Sequence, residues 1–248
     1  MKGCLFAGPT LATSTIEVDS INLTLYGPAK LGSVYKAVEA GFTCIGIVDG
    51  YFGNIAPVWH KEILWALSRG VLVAGAASIG ALRAAELSRY GMIGVGLAYR
   101  LFAQGVLTDD DEVCVVHAPK EFGYQQLSMP LLNIRVTLRW MRRKGLISLE
   151  RERILACVAK RLHFSNRTFD KILAASDSVS RGDAQQLRSD FMKTYVDVKA
   201  EDCAKLVSVL CGADRIRVER PCWTFPATGF WRTQFISKLS DLPELDAY

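Results

Sequence analysis

Apolar positions recur with two different periods along the first half of the chain. Four short apolar runs predict β-strands at residues 3–7, 43–48, 71–75 and 113–117. Between them, apolar residues that recur every three or four positions predict helices at about 29–40, 57–70, 79–89 and 94–104. Strands that alternate with helices in this way are typical of a parallel sheet with helices packed on its faces.

The second half of the chain carries helical periodicity only. From about Met129 onward, helices are predicted at 130–143, 148–161, 168–175, 184–196 and 200–211. We therefore expect an α/β protein with a parallel-sheet core and flanking helices over residues 1–128, followed by a mostly helical C-terminal region over residues 129–248. The aromatic residues between 223 and 235 follow no clear period. They are expected to pack across the core, with a partner-binding flap as the alternative.

The amino-acid composition favours a folded globular protein over a disordered or membrane-spanning one. Hydrophobic residues make up 50% of the 248 positions, which is typical of a folded globular chain and excludes long disorder. No apolar run reaches the roughly 18 residues that a membrane helix needs, because glycine and serine interrupt the most apolar stretch. The first residues lack the long apolar region and cleavage site of a secretory signal. A cytoplasmic protein without a membrane partner is expected.

The seven cysteines are scattered, without a CxxC pair or the spacing of zinc ligands. This pattern indicates reduced thiols rather than a disulfide framework, and no metal or other cofactor is expected. The functional alternative is a cysteine that carries a persulfide, with Cys44 and Cys114 as candidates. A buried apolar thiol is, however, inert.

The net charge of +5 is concentrated in one region. Between Arg139 and Lys171 there are ten basic residues and three acidic ones. This excess favours an acidic partner, with a solvated helical face as the alternative. No nucleic-acid-binding motif accompanies it, so a nucleic-acid partner is not expected.

The segment 75–80, Gly-Ala-Ala-Ser-Ile-Gly, joins a predicted strand to a predicted helix and carries the strongest local signal. A nucleophile elbow holds a serine on a sharp turn between small residues, so Ser78 would be the nucleophile and Gly75 and Ala77 would wall the site. The amides of Ile79 and Gly80 would face a developing oxyanion at the helix start. A serine that only caps the helix is the structural alternative. The segment lacks the Lys-Ser/Thr of a phosphate-binding loop, which disfavours nucleotide binding.

A serine nucleophile needs a base, because its hydroxyl is otherwise weakly nucleophilic. His60, Lys61 and Glu62 stand at the start of one predicted helix, and Asp49 follows a predicted strand. Strand ends and helix starts share one edge of a parallel sheet, so these residues can approach Ser78. A Ser78–His60–Asp49 triad and a Ser78–Lys61 pair are equally compatible with the residues themselves.

Two further charged features have both functional and structural interpretations. Arg83 could hold a carboxylate or carbonyl of an incoming chain, or it could pair with Glu86 three residues later. The acidic run 109–112 could bind a cation. Adjacent carboxylates cannot all face one ion, however, so a solvated loop is the prediction.

Four segments of the sequence resemble motifs of the TfuA-like family. They are Asp-Gly-Tyr-Phe at 49–52, Val-Trp-His-Lys-Glu-Ile-Leu-Trp-Ala-Leu at 58–67, Gly-Ala-Ala-Ser-Ile-Gly-Ala-Leu-Arg-Ala-Ala-Glu at 75–86 and Asp-Asp-Asp-Glu-Val at 109–113. The resemblance covers about half of the chain, roughly residues 3–137. The helical C-terminal half carries no matching motif.

Members of this family act beside YcaO enzymes in peptide backbone thioamidation, in ribosomally made peptide natural products and in methyl-coenzyme M reductase. The resemblance implies an accessory hydrolase that cleaves the thiocarboxylated C-terminus of a ThiS-like sulfur carrier and supplies sulfide to its YcaO partner, with the peptide substrate as a further possible contact. It also implies a Ser–Lys pair, which falls on Ser78 and Lys61 and favours Lys61 over His60. The alternatives are a non-catalytic adaptor that recruits carrier and peptide to YcaO, and an ordinary serine esterase or peptidase.

Overall fold

A computed structural model describes residues 1–17, 22–53, 55–176, 180–217, 221–237 and 244–248. The chain forms two compact units. The first comprises residues 1–108 together with 200–248, and the second comprises residues 109–199. This division differs from the predicted boundary between residues 128 and 129, since the C-terminal part of the chain returns to the first unit.

The first unit is built on a five-stranded parallel sheet. Its strands are β1 (Gly3–Phe6), β2 (Thr24–Tyr26), β3 (Cys44–Ile47), β4 (Leu72–Ala76) and β5 (Ile93–Val95), in the order β2-β1-β3-β4-β5. All four strand pairs are parallel. The predicted α/β class with a parallel-sheet core and a helical C-terminal region is confirmed.

Helices of both units account for nearly half of the remaining described residues. They are α1 (Pro9–Thr13), α2 (Ser33–Glu39), α3 (His60–Ser68), α4 (Ile79–Leu87), α5 (Gly96–Ala103), α6 (Leu131–Arg143), α7 (Leu149–Arg161), α8 (Phe169–Ala174), α9 (Arg181–Thr194), α10 (Val198–Cys211) and α11 (Gly229–Trp231). A turn of π-helix, Arg232–Ser237, follows α11. The helices predicted after the second, third and fourth strands of the sheet are all present within a few residues of their expected limits.

The strand predicted at 113–117 is wrong. Val113 and Cys114 follow a short 3-10 turn, Asp110–Glu112, and lie in the second unit rather than in the sheet. Val113 and Cys114 are buried in a loop, and the pairing of the run 113–117 is limited to an isolated antiparallel bridge between His117 and Gln126. The prediction also missed β2 and β5, because three residues are too few to show a strand period.

Alternating side chains of the strands give the sheet two apolar faces. On one face, Ile47 and Val73 pack with α2, α3 and α4 through residues such as Ile63. On the other, Leu5 and Ala74 pack with α1 and α10. The parallel sheet is therefore covered on both sides, as its near-continuous apolar strands require.

The second unit has its own core, formed by apolar residues of α6, α7, α8 and α9. Phe169 and Phe191 stack at its centre, with ring centroids 3.8 Å apart. In the first unit, residues 244–248 run antiparallel along β2, where Tyr26 bridges Ala247. This segment covers the outer edge of β2, which would otherwise offer unpaired backbone groups.

Candidate functional site at the carboxyl edge of the sheet

The strand order reverses between β1 and β3, and ligands of doubly wound sheets bind outside the carboxyl ends of strands at such a point. Asp49 follows β3 and Ser78 follows β4 at this edge. Ile47 pairs with Gly75, so the next residues of both strands, up to Asp49 and Ala77, reach the same level. The register therefore brings Asp49 and the turn of Ser78 to one region of the sheet edge.

The turn before Ser78 is strained. Ala77 has a φ of +65°, in the left-handed region that an alanine rarely adopts. The Ser78 amide donates to the Ala76 carbonyl at 2.7 Å, which closes a tight three-residue turn. The left-handed residue is thus the one before the serine. Ser78 then opens α4 and is buried, with 4% of its surface exposed.

Gly75 and Gly80 stand where α4 touches the sheet backbone. A Cβ on Gly80 would lie 1.8 Å from the Ile47 carbonyl oxygen, and a Cβ on Gly75 would lie 2.1 Å from the Gly80 oxygen. The Gly80 amide, expected to serve an oxyanion, donates instead to the Val48 carbonyl at 3.2 Å. The side chain of Ile79 is buried in the core. This close packing gives the two glycines a structural reason that the sequence did not reveal.

Lys61 lies at the start of α3, and its amine is held by the C-terminal segment. The amine donates to the Thr228 hydroxyl at 2.9 Å and to the Pro226 carbonyl at 3.4 Å. These two acceptors, and not the Ser78 hydroxyl, hold the amine in this structure. The contact joins residues far apart in the chain, and no local sequence signal indicated it.

His60 and Arg83 form a cluster around Glu86. The Nε2 atom of His60 lies 2.7 Å from the Glu86 carboxylate, and the Arg83 guanidinium donates to the same oxygen at 2.8 Å. Arg83 also donates to the Val58 carbonyl at 3.2 Å. Burial alone would raise the pKa of Glu86, but the hydrogen bonds from His60 and Arg83 outweigh it and lower the pKa. His60 is therefore engaged away from Ser78 and Asp49, and the triad that the sequence allowed is not assembled in this structure.

Asp49 holds the loop between β1 and α1. Its buried carboxylate accepts from the amides of Gly8 and Thr10 at 3.0 and 2.9 Å, and from the Thr10 hydroxyl at 2.6 Å. The charge of Asp49 also contributes to raising the pKa of Tyr248, after the larger effect of burial. Asp49 thus fixes the backbone at the point where the strand order reverses.

Glu62 is fully buried and caps the start of α2. Its two oxygens accept from the amides of Gly32, Val34 and Tyr35 in α2 or directly before it, and from the amide of Trp59. Burial raises the pKa of the Glu62 carboxyl to about 7, although the four amide donors act in the opposite direction. Glu62 therefore links α3 to α2 instead of supporting Ser78.

The acidic run 109–112 is neutralised by basic residues of the second unit. Lys160 bridges Asp109 at 2.8 Å and also contacts Asp111, whose other oxygen accepts from Arg167 at 2.8 Å. Glu112 and Arg135 form a two-point pair with both distances at 3.0 Å. Among the described residues, no group of three or more His, Cys, Asp or Glu side chains is arranged to hold a metal ion.

The two cysteines considered for sulfur transfer are both buried. Burial raises the pKa of Cys44 to about 11 and that of Cys114 to about 12. Both thiols are therefore protonated near neutral pH, which disfavours the persulfide hypothesis at these positions.

Comparison with known proteins identifies a family that this part of the chain resembles. Residues 49–168 match the model of a family described as TfuA-like protein. The match includes Ser78, Lys61 and the acidic run. No curated protein sequence matches the chain. In the described part of the chain, every helix is too short or too polar to cross a bilayer. The chain therefore carries a TfuA-like domain over residues 49–168.

Proposed function

We propose that this protein is an accessory hydrolase for peptide backbone thioamidation. Its substrate would be the thiocarboxylated C-terminus of a ThiS-like sulfur-carrier protein, and its partner a YcaO enzyme that uses the released sulfide. The family match supports the pathway. The assignment of hydrolysis to Ser78 is argued separately, from the geometry around that residue.

The observation that carries this proposal is the strained turn at Ala77. A left-handed alanine is costly, and such strain concentrates at sites where a side chain must be aimed precisely. The turn follows the carboxyl end of β4, so Ser78 lies at the sheet edge where doubly wound proteins bind their ligands. Gly75 and Ala77, which precede the serine in the chain, are both small, and small neighbours would suit the narrow diglycine-type tail of a carrier.

In the proposed reaction, Lys61 takes the proton of the Ser78 hydroxyl, and the oxygen attacks the thiocarboxylate carbon. Lys61 passes this proton to the sulfur as the carbon–sulfur bond breaks, so that sulfide leaves as HS⁻ and the carrier becomes an ester of Ser78. Water then cleaves the ester and restores the serine, so that the carrier ends in a carboxylate. The proposal requires the Lys61 amine to leave Thr228 and Pro226 when the carrier binds.

The test follows the mass of a thiocarboxylated carrier incubated with the purified protein. Replacement of sulfur by oxygen changes the intact mass, and Ser78→Ala and Lys61→Ala should each abolish that change. His60→Gln is the matched control, because it alters the neighbouring helix position while leaving the proposed pair intact. Equal rates in the wild type and in Ser78→Ala would refute the proposal.

A non-catalytic adaptor is the second candidate, and one observation favours it. Lys61 is bound to the C-terminal segment and Ser78 is 4% exposed, so the two groups of the proposed pair do not meet in this structure. An adaptor would recruit carrier and peptide to YcaO without cleaving the thiocarboxylate. In a reconstituted thioamidation assay, Ser78→Ala should retain full activity for an adaptor and lose it for a hydrolase.

A further inference from the structure

A strongly basic groove lies in the second unit, between α6 and α7. It has a volume of about 540 Å³, and five arginines and one glutamate are its charged lining residues. The arginines are Arg135, Arg139, Arg142, Arg143 and Arg153. Four of them recur along one side of α6, so that the charge follows the length of the groove. The groove is lined by residues of the second unit, whereas Ser78 belongs to the first.

The arginines of the groove outnumber the acidic side chains that pair with them. Glu152 pairs with Arg142 and lies 4.0 Å from Arg139. Arg135 is bound by Glu112. Arg143 and Arg153 are exposed, and neither has an acidic partner among the residues that the structure describes. Two guanidinium groups are therefore available to an anion from another molecule.

We propose that this groove binds an acidic polypeptide segment of a partner protein. Arginine takes carboxylates in a two-point geometry, and the pair of Arg135 with Glu112 shows this geometry at the groove itself. Leu149, which is 48% exposed, and Ala156 add an apolar strip to the lining. The ligand that fits both features is an amphipathic segment with glutamate or aspartate on one side and an aliphatic residue on the other.

The lining favours a polypeptide over a nucleic acid. A single-stranded nucleic acid is usually held by aromatic side chains that stack on its bases, and the described lining of the groove contains none. An aliphatic strip gives no advantage to a phosphodiester backbone. The proposal does not depend on hydrolysis at Ser78, because the groove lies wholly within the second unit.

The test measures the affinity of the full-length protein for a short fluorescein-labelled peptide of glutamates with a leucine at every fourth position, by fluorescence anisotropy at low salt. The double variant Arg143→Glu, Arg153→Glu should weaken binding by at least about tenfold. Lys193→Glu is the matched control, because Lys193, like Arg143, is an exposed residue in the last turn of a helix. The control should change the affinity less than about twofold.

Three results would overturn the proposal. They are no binding of the peptide by the wild type, an equal loss of affinity in Lys193→Glu, and equal affinity for a peptide in which glutamine replaces every glutamate. Tighter binding of an oligothymidylate, abolished by the same double variant, would assign the groove to nucleic acid instead. If the double charge reversal unfolds the protein, the milder variant Arg143→Gln, Arg153→Gln takes its place. This variant should also bind the acidic peptide more weakly than the wild type does, although by less than the tenfold expected for the charge reversals.

Discussion

At the scale of single residues, the turn around Ser78 is defined by the atoms that surround it. Gly75 and Gly80 lie where the start of α4 touches the backbones of β3 and β4, and Ala77 adopts a left-handed conformation between them. These constraints hold the turn in one position. The same constraints make the turn sensitive to the smallest substitutions.

Replacement of Gly80 by alanine should therefore destabilise the protein. The new methyl group would lie 1.8 Å from the Ile47 carbonyl oxygen, and no side-chain movement can relieve a clash with backbone. We expect a loss of about 3 kcal/mol in the free energy of unfolding, measured by urea denaturation. Gly229→Ala, at the open start of α11, should change it by less than about 0.5 kcal/mol. A stable Gly80→Ala variant would contradict the described packing.

Glu62 predicts a dependence of stability on pH. Burial raises its pKa from 4.5 to about 7 in the folded protein, so the unfolded chain releases this proton first as the pH rises. The associated stability is present below pH 4.5 and is lost as the pH rises to about 7, by an amount of about 3 kcal/mol. The free energy of unfolding of Glu62→Gln, measured by urea denaturation at several pH values, should lack this decline between pH 4.5 and about 7. Glu39→Gln, at an exposed position, should retain it.

At the scale of secondary-structure elements, the second unit depends on charges that are satisfied within it. Arg167 is fully buried, and it donates to the Ala159 and Leu162 carbonyls as well as to Asp111. It thereby joins the end of α7 to the acidic run before α6. Such a buried cation is tolerated only because each of its three guanidinium nitrogens has a hydrogen-bond partner.

Replacing Asp111 by asparagine should destabilise this unit near neutral pH. Burial alone would raise the pKa of Asp111, but Lys160 and Arg167 lower it below the ordinary 3.8. The contribution is therefore present above about pH 4 and is lost as the pH falls through the folded-state pKa. We expect a loss of about 2 kcal/mol at pH 7, less than for a fully buried pair because the Asp111 side chain is 30% exposed.

The measurement is the thermal unfolding of wild type and Asp111→Asn over a range of pH. The difference in stability should shrink as the pH falls below about 4, and the two proteins should converge once the pH lies below the lowered folded-state pKa of Asp111, where the wild-type carboxyl is also neutral. Asp170→Asn is the control, because its pair with Arg188 is largely exposed and should contribute little. A difference that persists unchanged in acid would show that packing, and not charge, explains the loss.

At the scale of the whole molecule, the C-terminal segment completes the first unit. Trp231 is buried against Phe235 at a centroid distance of 4.2 Å, and it also contacts Tyr35 of α2 and Trp65 of α3. The segment that carries Trp231 also supplies the two acceptors for Lys61. Packing of this segment and the position of the Lys61 amine are therefore coupled.

Trp231→Ala should loosen that part of the molecule selectively. We expect a loss of about 3 kcal/mol or more for removing a buried tryptophan. Hydrogen exchange should increase at the amides of α2 and α3, whereas the amides of α6 and α7 should keep their protection. Phe230→Ala is the control, since Phe230 is 66% exposed and mainly stacks on Trp59. Increased exchange in both units would contradict the division into two compact cores.

Much of the fold was predictable because its signals are local. Three of the five strands lie in apolar runs, and the helices between them repeat their apolar residues on one side. The position of Ser78 on a turn between β4 and α4 follows from the same local pattern. Strands β2 and β5 were missed because each is too short to show a period, and the apolar run at 113–117 was mistaken for a strand because burial in a loop has the same composition.

The sequence by itself was enough to predict the parallel α/β class, the turn that carries Ser78 and the resemblance to the TfuA-like family. Only the tertiary structure decided the partners of the charged residues. Glu62 caps a helix that begins about 30 positions earlier, and Lys61 bonds to a residue 167 positions later. Periodicity describes neighbours within one element, whereas these hydrogen bonds depend on how distant elements pack, so the residue types alone could not reveal them.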